Sequence, residues 1–178
     1  MKVMIVGDSW ANADLARRVG WWTGCEVEYL RWPGCTALEV AGKVNGSIDG
    51  DVVLVTCGVN DAVRHVGAKA YAEGMLRLVG MIRKAGAVPV LLELPRLGKV
   101  RAPSWRSAVK RWWNRWVRDD GQHDVTDRYR AELLRVYPGL MVRLPQLRRS
   151  DIWHDPAHIN GKGRALVACA FMRALLGR

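Results

Sequence analysis

The sequence predicts a three-layer α/β/α fold around a doubly wound, flavodoxin-like parallel sheet of five strands. Two observations carry this. Short apolar runs of strand length recur along the chain, and the stretches between them carry the hydrophobic spacing of amphipathic helices. Strands alternating with helices of this length build βαβ units, whose crossovers cover both faces of one parallel sheet.

The first run, Val3-Met4-Ile5-Val6, ends at Gly7, as a strand buried on both faces should. Residues 27–30, 52–56 and 88–92 resemble it, and residues 140–144 form a weaker fifth run. Helical patterns occupy residues 12–22, 36–44, 68–85, 104–118, 127–136 and 162–176. Ligands of such sheets bind at the carboxyl ends of the strands, so the loops that follow strands are where chemistry is expected. No repeat, low-complexity tract or linker divides the chain, and residues 1–178 are read as one domain.

Composition narrows the function classes. Nearly half the residues are hydrophobic and a quarter are charged, which rules out a disordered or collagen-like chain. No run of about 18 apolar residues is present to span a membrane. No secretory leader is visible, so the default expectation is a cytoplasmic protein, with leaderless export as the alternative. The four cysteines are read as buried thiols, with a Cys25–Cys35 bridge as the single pairing worth testing. They show no metal-ligand spacing, so no metal is expected. Phosphate-binding and dinucleotide-binding glycine motifs are also missing, so no cofactor is expected. A net charge of +11 is consistent equally with an anionic partner or substrate and with basic surface that is simply solvated.

Gly7-Asp8-Ser9-Trp10 follows the first strand and precedes a helix, which puts the Ser9 hydroxyl at the carboxyl edge of the sheet. By itself the tripeptide reads as a helix cap. Three further blocks change that. Trp32-Pro33-Gly34-Cys35 follows the second strand, where a glycine lets backbone approach a bound group closely, and Gly58-Val59-Asn60-Asp61 follows the third, where a side-chain amide can donate to an oxyanion. Asp155-Pro156-Ala157-His158 lies near the C-terminus. A serine hydroxyl needs a general base to attack an ester, and the imidazole needs a carboxylate to fix its tautomer.

In order and spacing these blocks resemble those of the SGNH (GDSL-like) hydrolases, and His158-Ile159-Asn160-Gly161-Lys162-Gly163 is similar to that family's H-x-N-x-x-G extension. The resemblance implies a serine esterase working through an acyl-enzyme without metal or cofactor. Ser9 would be the nucleophile, His158 the base and Asp155 its orienter. The Ser9 N–H, the Gly34 N–H and the Asn60 side chain would form the oxyanion hole. Trp10 stands where the family's name has leucine. The weakest correspondence is Gly34, since Gly24 and Gly42 lie nearby. A second D-x-x-H, Asp151 to His154, competes with the later pair, which is preferred because it alone leads into the H-x-N-x-x-G continuation. His65 and His123 are read as solvated loop histidines. The G-x-S-x-G elbow of α/β-hydrolases is missed by one residue at Ala11, and its position after a single strand is wrong for that fold.

Trp10, Trp32 and Trp153 each flank a catalytic block and are the candidate substrate-binding rings, suited to a sugar or an acyl chain. Residues 96–118 hold eight basic residues, four tryptophans and no acid. Trp105, Val109, Trp112, Trp113, Trp116 and Val117 share one helical face, while Arg106, Lys110, Arg111, Arg115 and Arg118 fall largely on the other. The expected substrate is a small ester, with O-acetyl or short acyl groups on a carbohydrate foremost. The alternatives are a lysophospholipase or thioesterase of the same fold, or an idle module that binds an anionic polymer through the basic Trp-rich helix.

Overall fold

The computed structural model describes residues 1–44, 46–94, 122–137, 139–144, 147, 151 and 158–177. The basic Trp-rich segment, Trp153, His154 and Asp155 lie outside these residues. Five parallel strands, β1 (Lys2–Gly7), β2 (Glu26–Arg31), β3 (Val52–Thr56), β4 (Val88–Leu92) and β5 (Met141–Val142), form one sheet in the order β2-β1-β3-β4-β5. This is the doubly wound order expected, with the direction of strand addition reversing between β1 and β3, where ligands bind in such sheets.

Six helices are present among the described residues: α1 (Ala13–Thr23), α2 (Ala37–Lys43), α3 (Val59–Val63), α4 (Ala68–Lys84) and α5 (Gln122–Val136) lie between strands, and α6 (Gly161–Leu176) follows β5. Helix α1 packs on α6, while α4 packs on α2 and α5, which gives the two helical layers. Their ends follow from local chemistry. The Asn12 side chain accepts the Leu15 N–H at 3.0 Å to start α1, and Gly24 ends it in the left-handed conformation at φ 68°. Thr36 and Glu39 form a reciprocal capping box on α2. Strands β1 and β3 are buried along almost their whole length, and Val3, Ile5, Leu54, Leu78 and Phe171 are fully buried between the layers. Truncating Leu54 to alanine would cost about 2–5 kcal/mol.

Three expectations change. Strand β2 is an edge strand with Glu26, Glu28, Tyr29 and Arg31 exposed, not a run buried like β1. Strand β5 shrinks to two residues. Of the four cysteines read as buried thiols only Cys57 is buried; Cys25, Cys35 and Cys169 are partly exposed, and all four are free, so no Cys25–Cys35 bridge is present. Among the described residues no helix is long and apolar enough to cross a membrane.

Candidate active site

Three strand-end segments meet at the carboxyl edge of β1 and are joined by hydrogen bonds. Gly7 lies against β3 so closely that a Cβ there would fall 2.6 Å from the Thr56 carbonyl oxygen, a distance at which something must shift. The Gly7 carbonyl accepts the Trp32 N–H at 3.0 Å, which fastens the next turn to the start of the Asp8-Ser9 loop. In that turn the Cys35 N–H reaches the Trp32 carbonyl at 3.3 Å, and Gly34 takes φ 77° after Pro33. Proline followed by a positive-φ glycine is the signature of a type II turn.

Gly58 opens α3 at φ 123°, and a Cβ there would meet the Tyr71 ring at 2.8 Å. The next turn aims two side chains in different directions. Asn60 Nδ2 donates to Asp8 Oδ2 at 3.2 Å and to the Cys35 carbonyl at 3.1 Å, linking all three loops. Asp61 Oδ2 accepts the Ala37 N–H at 2.9 Å, capping α2 from across the sheet edge. Helix α3 itself is missed in the sequence, because five residues are too short to show a helical period.

The H-x-N-x-x-G extension has an equally local cause. The Asn160 side chain accepts the N–H groups of Lys162 and Gly163 at 2.9 and 3.2 Å, starting α6. The Asn160 N–H in turn donates to the Asp151 carbonyl at 3.0 Å. That carbonyl lies so near Gly163 that any side chain there would collide with it. Helix α6 therefore begins at a fixed point, and His158 sits just ahead of it.

Ser9 is half-buried and His158 exposed. Both line one open cleft of about 680 Å³, walled by Trp10, the first residues of α1, the end of β2 and the start of α6. The structure thus brings Ser9 of the first sequence block and His158 of the last to one cleft. Asp155 and Trp153 lie outside the described residues. Trp10 reaches the cleft with its ring almost wholly buried, whereas Trp32 is half-buried against the core and is not among the cleft-lining residues. His65 is exposed, in the left-handed region at φ 55°.

A family model for the GDSL-like lipase/acylhydrolase family matches residues 6–166. The chain belongs to this family. Solved structures of similar fold include an acetyl xylan esterase at 15% identity, covering 98% of this chain and 100% of that one with a TM-score of 0.70. Another is an acetylxylan esterase from Geobacillus stearothermophilus at 15% identity, covering 97% and 92% with a TM-score of 0.71. A third is a psychrotrophic esterase from a Pseudoalteromonas species, inhibited in that structure by monoethylphosphonate, at 14% identity, covering 99% of both chains with a TM-score of 0.67. Curated protein sequences gave no match. This GDSL-like acylhydrolase is an enzyme that hydrolyses ester bonds.

The residue of this GDSL-like site that the sequence reading passed over is Asp8. It is fully buried and accepts the Trp10 N–H at 3.0 Å as well as the Asn60 amide. Burial pushes its carboxyl up to about 7, and the nearby Asp61 charge adds to this, while the Trp10 N–H, His158 and Asn60 pull it back. Between the ordinary aspartate range and about 7, the folded protein therefore holds a proton that the unfolded chain has released. Its contribution to stability is full below that window and lost as pH rises through about 7. Asp61, pushed by burial up to about 6, acts in the same direction. The melting temperature should fall as pH rises across this window, and Asp8→Asn should flatten the slope whatever constant penalty it adds. Calorimetry of both proteins across the window checks this; equal slopes would show that Asp8 does not titrate there.

Proposed function

We propose that this acylhydrolase is a serine esterase that works through a Ser9-His158-Asp155 triad and an acyl-enzyme. The observation that carries the reading is the cleft shared by Ser9 and His158, side chains from opposite ends of the chain. Ser9 Oγ attacks the ester carbonyl carbon as its proton passes to His158. The tetrahedral oxyanion is stabilised by the N–H groups of Ser9 and Gly34 and by the Asn60 amide. Collapse expels the alcohol, which takes the proton from His158, and a water activated by the same imidazole then releases the acid. Asp155 fixes the imidazole tautomer. Short acyl groups on a carbohydrate are the favoured substrate, supported by the names of the two acetylxylan esterases of similar fold.

Asn60 carries a condition of its own. Its amide hydrogens are directed at Asp8 and the Cys35 carbonyl, so it reaches an oxyanion by sharing or releasing one of those bonds. A bond formed only as charge develops lowers the barrier without strengthening ester binding. Asn60→Ala should therefore lower kcat by roughly 10²–10³ with little change in KM. A change confined to KM would make Asn60 a substrate-binding residue instead. The reading as a whole is tested by hydrolysis of p-nitrophenyl acetate and its loss on treatment with a serine-directed fluorophosphonate; turnover that survives complete labelling of Ser9 would refute it.

A further inference from the structure

The described lining of the cleft beside Ser9 carries an excess of positive charge. Among its described lining residues Asp14 is the one carboxylate, while Arg31 and Arg164 both face in. Asp14 is already saturated with cations. Its Oδ2 accepts from Arg164 Nε at 2.6 Å and from Arg18 Nε at 3.1 Å, and its Oδ1 accepts from Arg17 at 2.6 Å. Burial pushes the Asp14 carboxyl upward, but these guanidiniums outweigh it and hold the group well below the usual carboxylate range. One negative charge thus stands against three guanidiniums before Arg31 is counted.

Arg31 ends β2 in direct register with Gly7, two residues before the nucleophile. It is exposed, and among the described residues its guanidinium makes no ion pair. An unpaired surface arginine is ordinarily just solvated charge. This one differs in its placement, in a concave wall where, among the described lining residues, Asp14 is the one acid and is already paired with other guanidiniums. Tyr29, on the same face of β2 and 42% exposed, lines the same wall.

We propose that Arg31 is a specificity determinant that binds an anionic group, such as a carboxylate, on the alcohol portion of the ester. The inference rests on the Ser9-His158 reading, in which the imidazolium delivers its proton to the departing alkoxide. The alcohol must then lie on the His158 side of Ser9. That is the side of this cleft: His158 and Ile159 line it, whereas the proposed oxyanion donors Gly34 and Asn60 do not. The guanidinium fork offers a carboxylate two parallel hydrogen bonds, and the Tyr29 ring offers a flat apolar surface beside it. The favoured substrates are therefore acylated sugar acids or other acid-bearing alcohols, ahead of neutral esters.

The test compares kcat/KM for p-nitrophenyl acetate with that for its analogue carrying a carboxylate on the nitrophenyl ring, at low and high salt. The wild-type protein should prefer the carboxylated ester. Arg31→Gln should lower the carboxylated-to-neutral ratio about three- to tenfold, Arg31→Lys should restore part of it, and the preference should shrink as salt screens the charges. Unchanged melting temperatures would show that the exposed position tolerates the changes. A ratio indifferent to Arg31→Gln and Arg31→Glu, with hydrolysis still dependent on Ser9, overturns this inference and leaves the triad standing. Hydrolysis that does not depend on Ser9 overturns both.

Discussion

Ser9→Ala and His158→Ala are each expected to lower kcat by roughly 10⁴-fold or more, and the double variant should be little worse than either alone. In the proposed mechanism the two side chains perform one step between them, since the hydroxyl attacks only as the imidazole takes its proton. Removing either leaves the other without a task, and what rate remains comes from the oxyanion donors and binding. Neither substitution should disturb the fold. Ser9 is half-buried and His158 exposed, and the hydrogen bonds that build the loops around them run through Asp8, Asn60 and Asn160. Steady-state kinetics on an activated acetate ester, with melting temperatures in parallel, check both statements. Effects that multiply in the double variant would show two independent roles.

Asp155→Asn is expected to lower kcat by roughly 10⁴-fold, because an amide holds the imidazole in the wrong tautomer and cannot offset its positive charge. Asp151→Asn should do little to turnover. The Asp151 contact that matters to α6 is its backbone carbonyl, which accepts the Asn160 N–H and packs against Gly163, and this survives the change. Its side chain is buried, so the same variant should show its effect in melting temperature. The reverse pattern, with Asp151→Asn inactive and Asp155→Asn active, would transfer the orienting role to Asp151.

The parts of the fold visible in the sequence are those fixed by burial on both faces. Strands β1, β3 and β4 are unbroken apolar runs, and the glycine blocks that follow β1 and β3 mark where backbone presses on backbone or ring, as Gly7 does on Thr56 and Gly58 on Tyr71. Strand β2 is harder to read. Its Val27 and Leu30 look like core, but Glu26, Glu28 and Arg31 already signal an edge, and an edge strand needs only part of one face buried. Site residues that act through one another are nearly invisible before folding. Asp8 and Asp61 read as turn residues until Asn60 and the α2 N-terminus are seen to complete them. Arg31 reads as one cation among 28 basic residues until register sets it beside Gly7.

The central claim, that Ser9 carries the acyl group, is tested most directly by mass spectrometry of the protein after reaction with a serine-directed fluorophosphonate. The expected result is one covalent adduct per chain, located on the peptide containing Ser9, formed in step with loss of esterase activity and absent from Ser9→Ala and His158→Ala. Activity lost with the adduct on another residue, or retained with Ser9 fully labelled, would contradict it.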